Sequence, residues 1–442
     1  MKKWLVYSLA TMVAVMISVP WVKAQDSRDQ EIKDLKARVE RLEADANKNK
    51  TTTQPNVVTE PAATVADPQA GQAELPTLQE LVNRTQFLSF VKDWNWGGNM
   101  AVSYNWNFDN PESHVNQGRF FDDRPNHFNI NQFALWVEKP TIDESPVGFG
   151  AEIFIGRDAK KTHSFGLGND DNPVDLLQAY VLAKIPVGTG IELKAGKFYG
   201  FSGYESCRAS ESDYISFGML SGLTTPSSLT GIMATYVPVD ELSLTLGLVN
   251  GQDQVEDRND DKSLVWSLNF SYEKLFSLSF SGMYGAEQDN RNAEKLAMMD
   301  VIVEFTPTPE LTIALNFNHG EEQSAVTTVA GLKQRAEWYT VAGYLKYVFM
   351  EKLASAIRAE YMVDEKGYIW GYTSPVTADP TRLAAWSVTW DLRYQVVEHF
   401  FVTFEYRHDH SRYGAQLFDN RDSTKAKKEY MDTIAFQLIY QF

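Results

Sequence analysis

Two sets of charged residues in this sequence are of types that could act on one another across a water-filled space. The 199–228 segment carries Glu205, Glu211 and Asp213, together with Arg208 and the single cysteine, Cys207. Further along, Lys346, Arg358, Arg393 and Arg407 recur in alternating stretches, with Glu360 two residues from Arg358 and Glu405 two residues from Arg407. An acidic loop opposite a basic wall would set up a transverse field, and fixed charges of this kind select among passing ions. Local pairing within the wall, Arg358 with Glu360 and Arg407 with Glu405, would instead keep an aqueous interior solvated. Both uses need strands that turn these side chains to one common face. Alternation puts Lys346 and Arg393 nearer the rim than the middle.

Other chemistry finds less support. "RHDHS" (407–411) offers His408, His410 and Ser411, but His408 continues an outward aromatic register while His410 and Ser411 enter a loop. A nucleophile needs a base and a group that orients it, and no such trio can be read here, so no catalytic residue is assigned. A metal site from His408, Asp409 and His410 is not assigned either, because loop histidines are usually solvated. The acidic tips "GNDDNP" (168–173) and "EDRNDD" (256–261) have oxygen clusters suited to divalent cations between lipopolysaccharide headgroups, or are solvated loops. No nucleotide loop or paired-cysteine zinc pattern occurs, so no cofactor is expected.

The elements that must carry these residues announce themselves by a period of two. "WNWGGNMAVSYNW" puts Trp94, Trp96, Met100, Val102, Tyr104 and Trp106 on one face and Asn95, Asn99, Ser103 and Asn105 on the other. The same alternation runs through "LVWSLNFSYE", "FSLSFSGMY" and "AAWSVTWDLRYQ", and it ends the chain with Phe436, Leu438, Tyr440 and Phe442 on one face. Alternation alone fits a soluble sandwich or a membrane barrel, which differ in which face is inside. Connection lengths separate them. Short connections such as "PVDE", "EKL", "TPTPE" and "VVEH" alternate with long ones such as "RDAKKTHSFGLGNDDNPVD", "GEEQSAVTTVAGLKQ" and "HDHSRYGAQLFDNRDSTKAKKE". Short turns at one end and long loops at the other mark outer-membrane barrels. The expectation is an all-β, antiparallel transmembrane β-barrel of about 16 strands over 89–442, whose last strand closes against its first.

Composition agrees once the face polarity is inverted. The chain has 25 Phe, 20 Tyr and 11 Trp, aromatics enough for a lipid face and two interfacial girdles, yet a net charge of −17. That charge argues against nucleic acid as a partner. Residues 1–24 open with Lys2 and Lys3, followed by an apolar run and small residues before a cleavage point, the pattern of a secretory signal peptide. In 25–50, Ile32, Leu35, Val39, Leu42 and Ala46 step by three and four, the seam of a short coiled coil, expected in the periplasm. A Thr-, Ala- and Pro-rich linker follows over 51–88, with a short helix expected at 78–88.

With these features in place the chain resembles bacterial outer-membrane porins, and more narrowly the putative β-barrel porin family described as OmpL-like. The matching stretches are "FNINQFAL" (128–135), "LKAGKFYGFSGYE" (193–205), "LVNGQDQ" (248–254) and "YGAE" (284–287). The resemblance implies passive transport of small hydrophilic solutes or ions and identifies no substrate. It implies that the loop after the fifth strand, 199–228, folds inward and narrows the pore. The terminal strand resembles the signal that barrel-assembly machinery reads, and the amino-terminal extension resembles those of some trimeric porins. The expected partners are therefore outer-membrane lipid and lipopolysaccharide, the assembly machinery and two further copies of the chain. A structural tether from the outer membrane to periplasmic layers through the coiled coil is the alternative.

Overall fold

The computed structural model describes residues 91, 93–169, 171–373, 378–422, 424–425 and 427–442. The signal peptide, the heptad seam of Ile32, Leu35, Val39 and Leu42, the linker and the 78–88 helix lie outside the described residues. Sixteen strands follow in sequence. The first eight are β1 (Asn95–Asn107), β2 (His127–Lys139), β3 (Val147–Ile155), β4 (Val174–Ile185), β5 (Ile191–Tyr199), β6 (Ser228–Val239), β7 (Leu242–Gln252) and β8 (Ser263–Tyr272). The second eight are β9 (Phe276–Ala286), β10 (Lys295–Thr308), β11 (Leu311–Thr327), β12 (Lys333–Met350), β13 (Leu353–Asp364), β14 (Leu383–Val397), β15 (Phe400–Ser411) and β16 (Tyr430–Gln441). Each strand pairs antiparallel with its sequence neighbours, and β16 returns to β1 to close the barrel.

Closure removes the two edges that an open sheet would leave unpaired. In the closing seam Met100 faces Tyr440 and Tyr104 faces Phe436. The ladder ends where Gly98 and Phe442 exchange both backbone hydrogen bonds, each at 2.9 Å. Phe436, Leu438, Tyr440 and Phe442 all point away from the barrel, exposed alongside Trp96, Trp106, Leu246 and Leu315. Their strand neighbours Ala435, Gln437 and Ile439 are buried inside. An apolar, aromatic exterior with a largely polar interior suits lipid outside and water inside.

The strands are joined by tight turns at one end, for example 240–241, 309–310 and 398–399, and by long loops such as 108–126, 200–227, 365–382 and 412–429 at the other. Two connections differ from the sequence expectation. Most of "GEEQSAVTTVAGLKQ" is strand, since β11 has 17 residues and β12 has 18, leaving only 328–332 as the connection. Ion pairs of Arg335, across the ladder to Glu321 at 2.7 Å and along its own strand to Glu337 at 3.0 Å, sit on the extended ladder, where the polar sequence had suggested a loop. His410 and Ser411 likewise belong to β15 rather than to a loop, because Trp386 and His410 stack as a cross-strand pair.

The core of the molecule lies in the lumen and is built by loops that fold inward. Two short helices, α1 (Ala159–Thr162) and α2 (Met219–Leu223), belong to these loops. Phe198, Leu229, Val249, Val265, Met283, Met298 and Trp338 form an apolar band on the inner wall. Phe201 from one loop and Tyr368 and Ile369 from another cover it.

Candidate functional site

The 200–227 loop leaves β5, crosses the lumen and returns to β6, bonded along its length to strands on both sides. At its start the Gly203 N–H donates to Asp300 and the Tyr204 N–H to Asn316, each at 3.1 Å. The Tyr204 hydroxyl donates to Glu304 at 2.6 Å. These acceptors lie on β10 and β11. On the opposite wall Gln132 of β2 donates to the Cys207 carbonyl at 2.9 Å, and Arg208 grips Glu152 of β3 through two bonds of 2.8 Å. The Arg208 guanidinium also lies 4.4 Å from the ring centre of Trp136.

The centre of the loop is held by charge on β12 to β15. Arg358 meets Glu205 at 2.7 Å and Glu360 at 3.2 Å, and it also donates to the Ser216 carbonyl at 2.9 Å. Arg407 donates to the Phe217 carbonyl at 2.8 Å. Arg393 donates to the carbonyls of Ser210 and Ser212, at 3.0 and 2.6 Å. Carboxylates take the loop amides in return. Glu405 accepts from Ile215 and Ser216 at 2.8 and 2.9 Å, Glu360 accepts from Leu220 at 3.1 Å, and Glu205 accepts from Gly218 at 3.1 Å. A loop sent through a lumen would otherwise leave these backbone groups unsatisfied, at a cost of roughly 1–3 kcal/mol each.

Each of the charged residues expected in the loop and on the facing wall therefore has a partner. Glu211 pairs with Arg208 at 2.8 Å and Asp213 with Lys346 at 2.6 Å, both partly exposed. Arg358 and Arg407 are fully buried. One expected pair is replaced: Arg407 binds Asp409 at 2.8 Å rather than Glu405, which is occupied by the loop amides. Cys207, in the loop, is packed beside Ala134 and Phe154, and burial pushes its thiol well above the ordinary value.

A second inward loop was not anticipated. Arg119, in the 108–126 connection, donates to Asp409 at 2.5 and 3.0 Å and to Thr433 at 3.0 Å, and it pairs with Asp122. Burial pushes the Asp122 carboxyl upward against the pull of Arg119. The sequence signal was present in "GRFFDDR", a dense run of aromatic and charged residues inside a nominal loop. Two carboxyls at the bases of other long loops are also displaced by burial. Asp253 is raised to about 6 and Glu287 to about 7, while each accepts hydrogen bonds that hold the adjoining chain.

Beside the loop a space remains open. A cavity of about 490 Å³ lies between the loop and the inner faces of β4, β5 and β6, reaching Glu138 on β2. A smaller one of about 180 Å³ shares Glu138, Gln178, Tyr180 and Arg208 with it and reaches Asn95 at the start of β1. Among the described residues no group of three or more His, Cys, Asp or Glu side chains could hold a metal ion. His408 faces outward, bonded to Asp432 at 2.8 Å.

The comparisons with known proteins fit this geometry. A family model described as putative beta-barrel porin-2, OmpL-like, matches residues 93–442. Among solved structures, the anion-selective porin from Comamonas acidovorans aligns over 79% of this chain and 99% of its own, with 8% identity and a TM-score of 0.53. The outer membrane channel DcaP of Acinetobacter baumannii aligns over 79% and 97%, with 10% identity and a TM-score of 0.52. OmpF of Salmonella typhi, in complex with daunomycin, aligns over 79% and 97%, with 14% identity and a TM-score of 0.50. At these identities the likeness is one of fold. No curated protein matches the chain.

Proposed function

The chain belongs to the OmpL-like family of putative beta-barrel porins and is an outer-membrane porin, and on that premise we propose that it conducts small hydrophilic solutes or ions through a lumen narrowed by the 200–227 loop. The observation that carries the reading is the loop's attachment to both walls, with Arg358 and Arg407 buried against its carbonyls. A loop so fixed reduces the lumen to the space beside it, which suits passive diffusion of small molecules rather than passage of folded or bulky ones. No chemical step is assigned; the pore acts by size and field.

Three further parts complete the proposal. The aromatic exterior faces lipid and lipopolysaccharide, the terminal strand with Phe442 is the segment offered to barrel-assembly machinery, and the assembly is a homotrimer. The 25–50 coiled coil adds association strength in the periplasm without shaping the channel. Reconstitution in planar bilayers tests the central claim. Stable single-channel steps are expected. A folded barrel that gives none would overturn the porin reading and favour the tether.

A further inference from the structure

The charges that look most like a selectivity filter in the sequence are spent on holding the loop, which leaves open what a passing solute meets. Arg358, Arg407, Arg208 and Lys346 each have a carboxylate partner, and Arg393 is committed to two loop carbonyls. Lys194 is different. It lines the cavity beside the loop, and among the described residues no carboxylate lies within ion-pair distance of it. Its contact is with an aromatic ring: the ammonium lies 4.4 Å from the centre of Tyr180.

Tyr180 in turn joins Lys194 to a carboxylate. Its hydroxyl donates to Glu138 at 2.7 Å, reaching from β4 across β3 to β2. The reach is possible because Gly150 of β3 lies beneath the ring; a Cβ there would meet the Tyr180 ring at 2.3 Å. Gly196 supplies the other necessary irregularity. Lys194 and Lys197 are three apart, a spacing that in a regular strand would place them on opposite faces. The backbone at Gly196 has φ of +135°, and Lys197 turns to Asp175 at 3.3 Å while Lys194 faces the cavity. Two glycines thus lay a cation, an aromatic plate and a carboxylate side by side along the cavity beside the loop.

Building on the porin reading above, we propose that solutes pass along this wall, and that Lys194 and Glu138 are the residues that discriminate among ions and small zwitterions. An anionic group is drawn to Lys194, a cationic group to Glu138, and the flat ring between them accepts an apolar face. In a confined passage a single unpaired charge acts through less water than on an open surface, so its removal changes ion occupancy.

The test is reversal potential under a potassium chloride gradient for purified full-length channels. Lys194→Gln should raise the cation-to-anion permeability ratio by about twofold or more, Glu138→Gln should lower it similarly, and Lys194→Arg should keep it. In a Cys207→Ser background, Lys194→Cys should lose a third or so of its conductance on reaction with a cationic methanethiosulfonate, as expected for a side chain in a narrow conducting path. Conducting channels whose selectivity and conductance ignore all of these changes would overturn the proposal and leave the porin reading standing. A wild-type barrel without conductance would overturn both.

Discussion

The guanidinium of Arg358, on β13, and the carboxylate of Glu205, in the 200–227 loop, lie 2.7 Å apart with side-chain exposures of 0% and 2%. They are 153 residues apart in the chain, and their contact fixes the loop to the far wall of the lumen. Taking two charges out of water is costly, and the pair repays this only while both members remain.

Removing one member should therefore be worse than removing both. Arg358→Gln is expected to cost about 3–5 kcal/mol by stranding Glu205 and Glu360 in a dry site. The double change Arg358→Met with Glu205→Leu should recover the part due to Glu205, while Glu360 keeps its bonds from Leu220 and Ser387. Denaturation midpoints of the detergent-solubilised barrel measure the difference, and a single mutant as stable as wild type would show that water reaches the pair.

The partly exposed pair of Asp213 and Lys346 sets the opposite expectation. With side chains 28% and 39% exposed, its loss through Lys346→Gln should cost no more than about 1 kcal/mol. Loop position, read from single-channel conductance, should stay within the spread of the wild type.

Arg119→Ala should release the 108–126 loop. It strips Asp122 and Asp409 of a buried cation, again at about 3–5 kcal/mol. Limited trypsin digestion followed by mass spectrometry should then detect cleavage at Arg124, which the wild-type barrel resists on the same timescale.

Glu287 and Asp253 give the long-loop end a pH dependence. Burial raises their folded-state values to about 7 and about 6, above the ordinary 4.5 and 3.8. A carboxyl with a raised value binds its proton more tightly in the fold than in the unfolded chain. Its stabilising effect is full below the ordinary value and is lost as pH climbs through the raised one, about 3 kcal/mol for each group. Hydrogen exchange of the 253–262 and 287–294 loops should quicken between about pH 4.5 and 7, beyond the intrinsic rise. Glu287→Gln should flatten that trend, and an unchanged slope would contradict the assignment.

What could be read from the sequence followed range. Strand alternation is local, so the lipid face from Trp96 to Trp106 and the closing face from Phe436 to Phe442 were legible residue by residue. The ends of β11, β12 and β15 were not, because polar residues in a ladder that continues past the lipid look like loop. Pairings inside the lumen were hardest. Arg407 has acids two residues away on either side, and the choice of Asp409 over Glu405 depends on amides of Ile215 and Ser216 that lie 190 and 189 residues away. Arg119 and Asp409 are 290 residues apart. The Lys194–Tyr180–Glu138 track depends on what Gly150 and Gly196 permit, and a glycine in a strand does not say which neighbour will use its space.

Those separations also order events during assembly. The ligands that hold the middle of the 200–227 loop sit on β13, β14 and β15, so the loop is synthesised long before its attachment points exist. Contacts of such high sequence separation carry a large loop-closure cost and are slow to form. Until β13 to β15 are in place, the loop carbonyls of Ser216 and Phe217 lack Arg358 and Arg407 as partners. Seating of the loop therefore waits on the last four strands, and only then is the bore beside it narrowed.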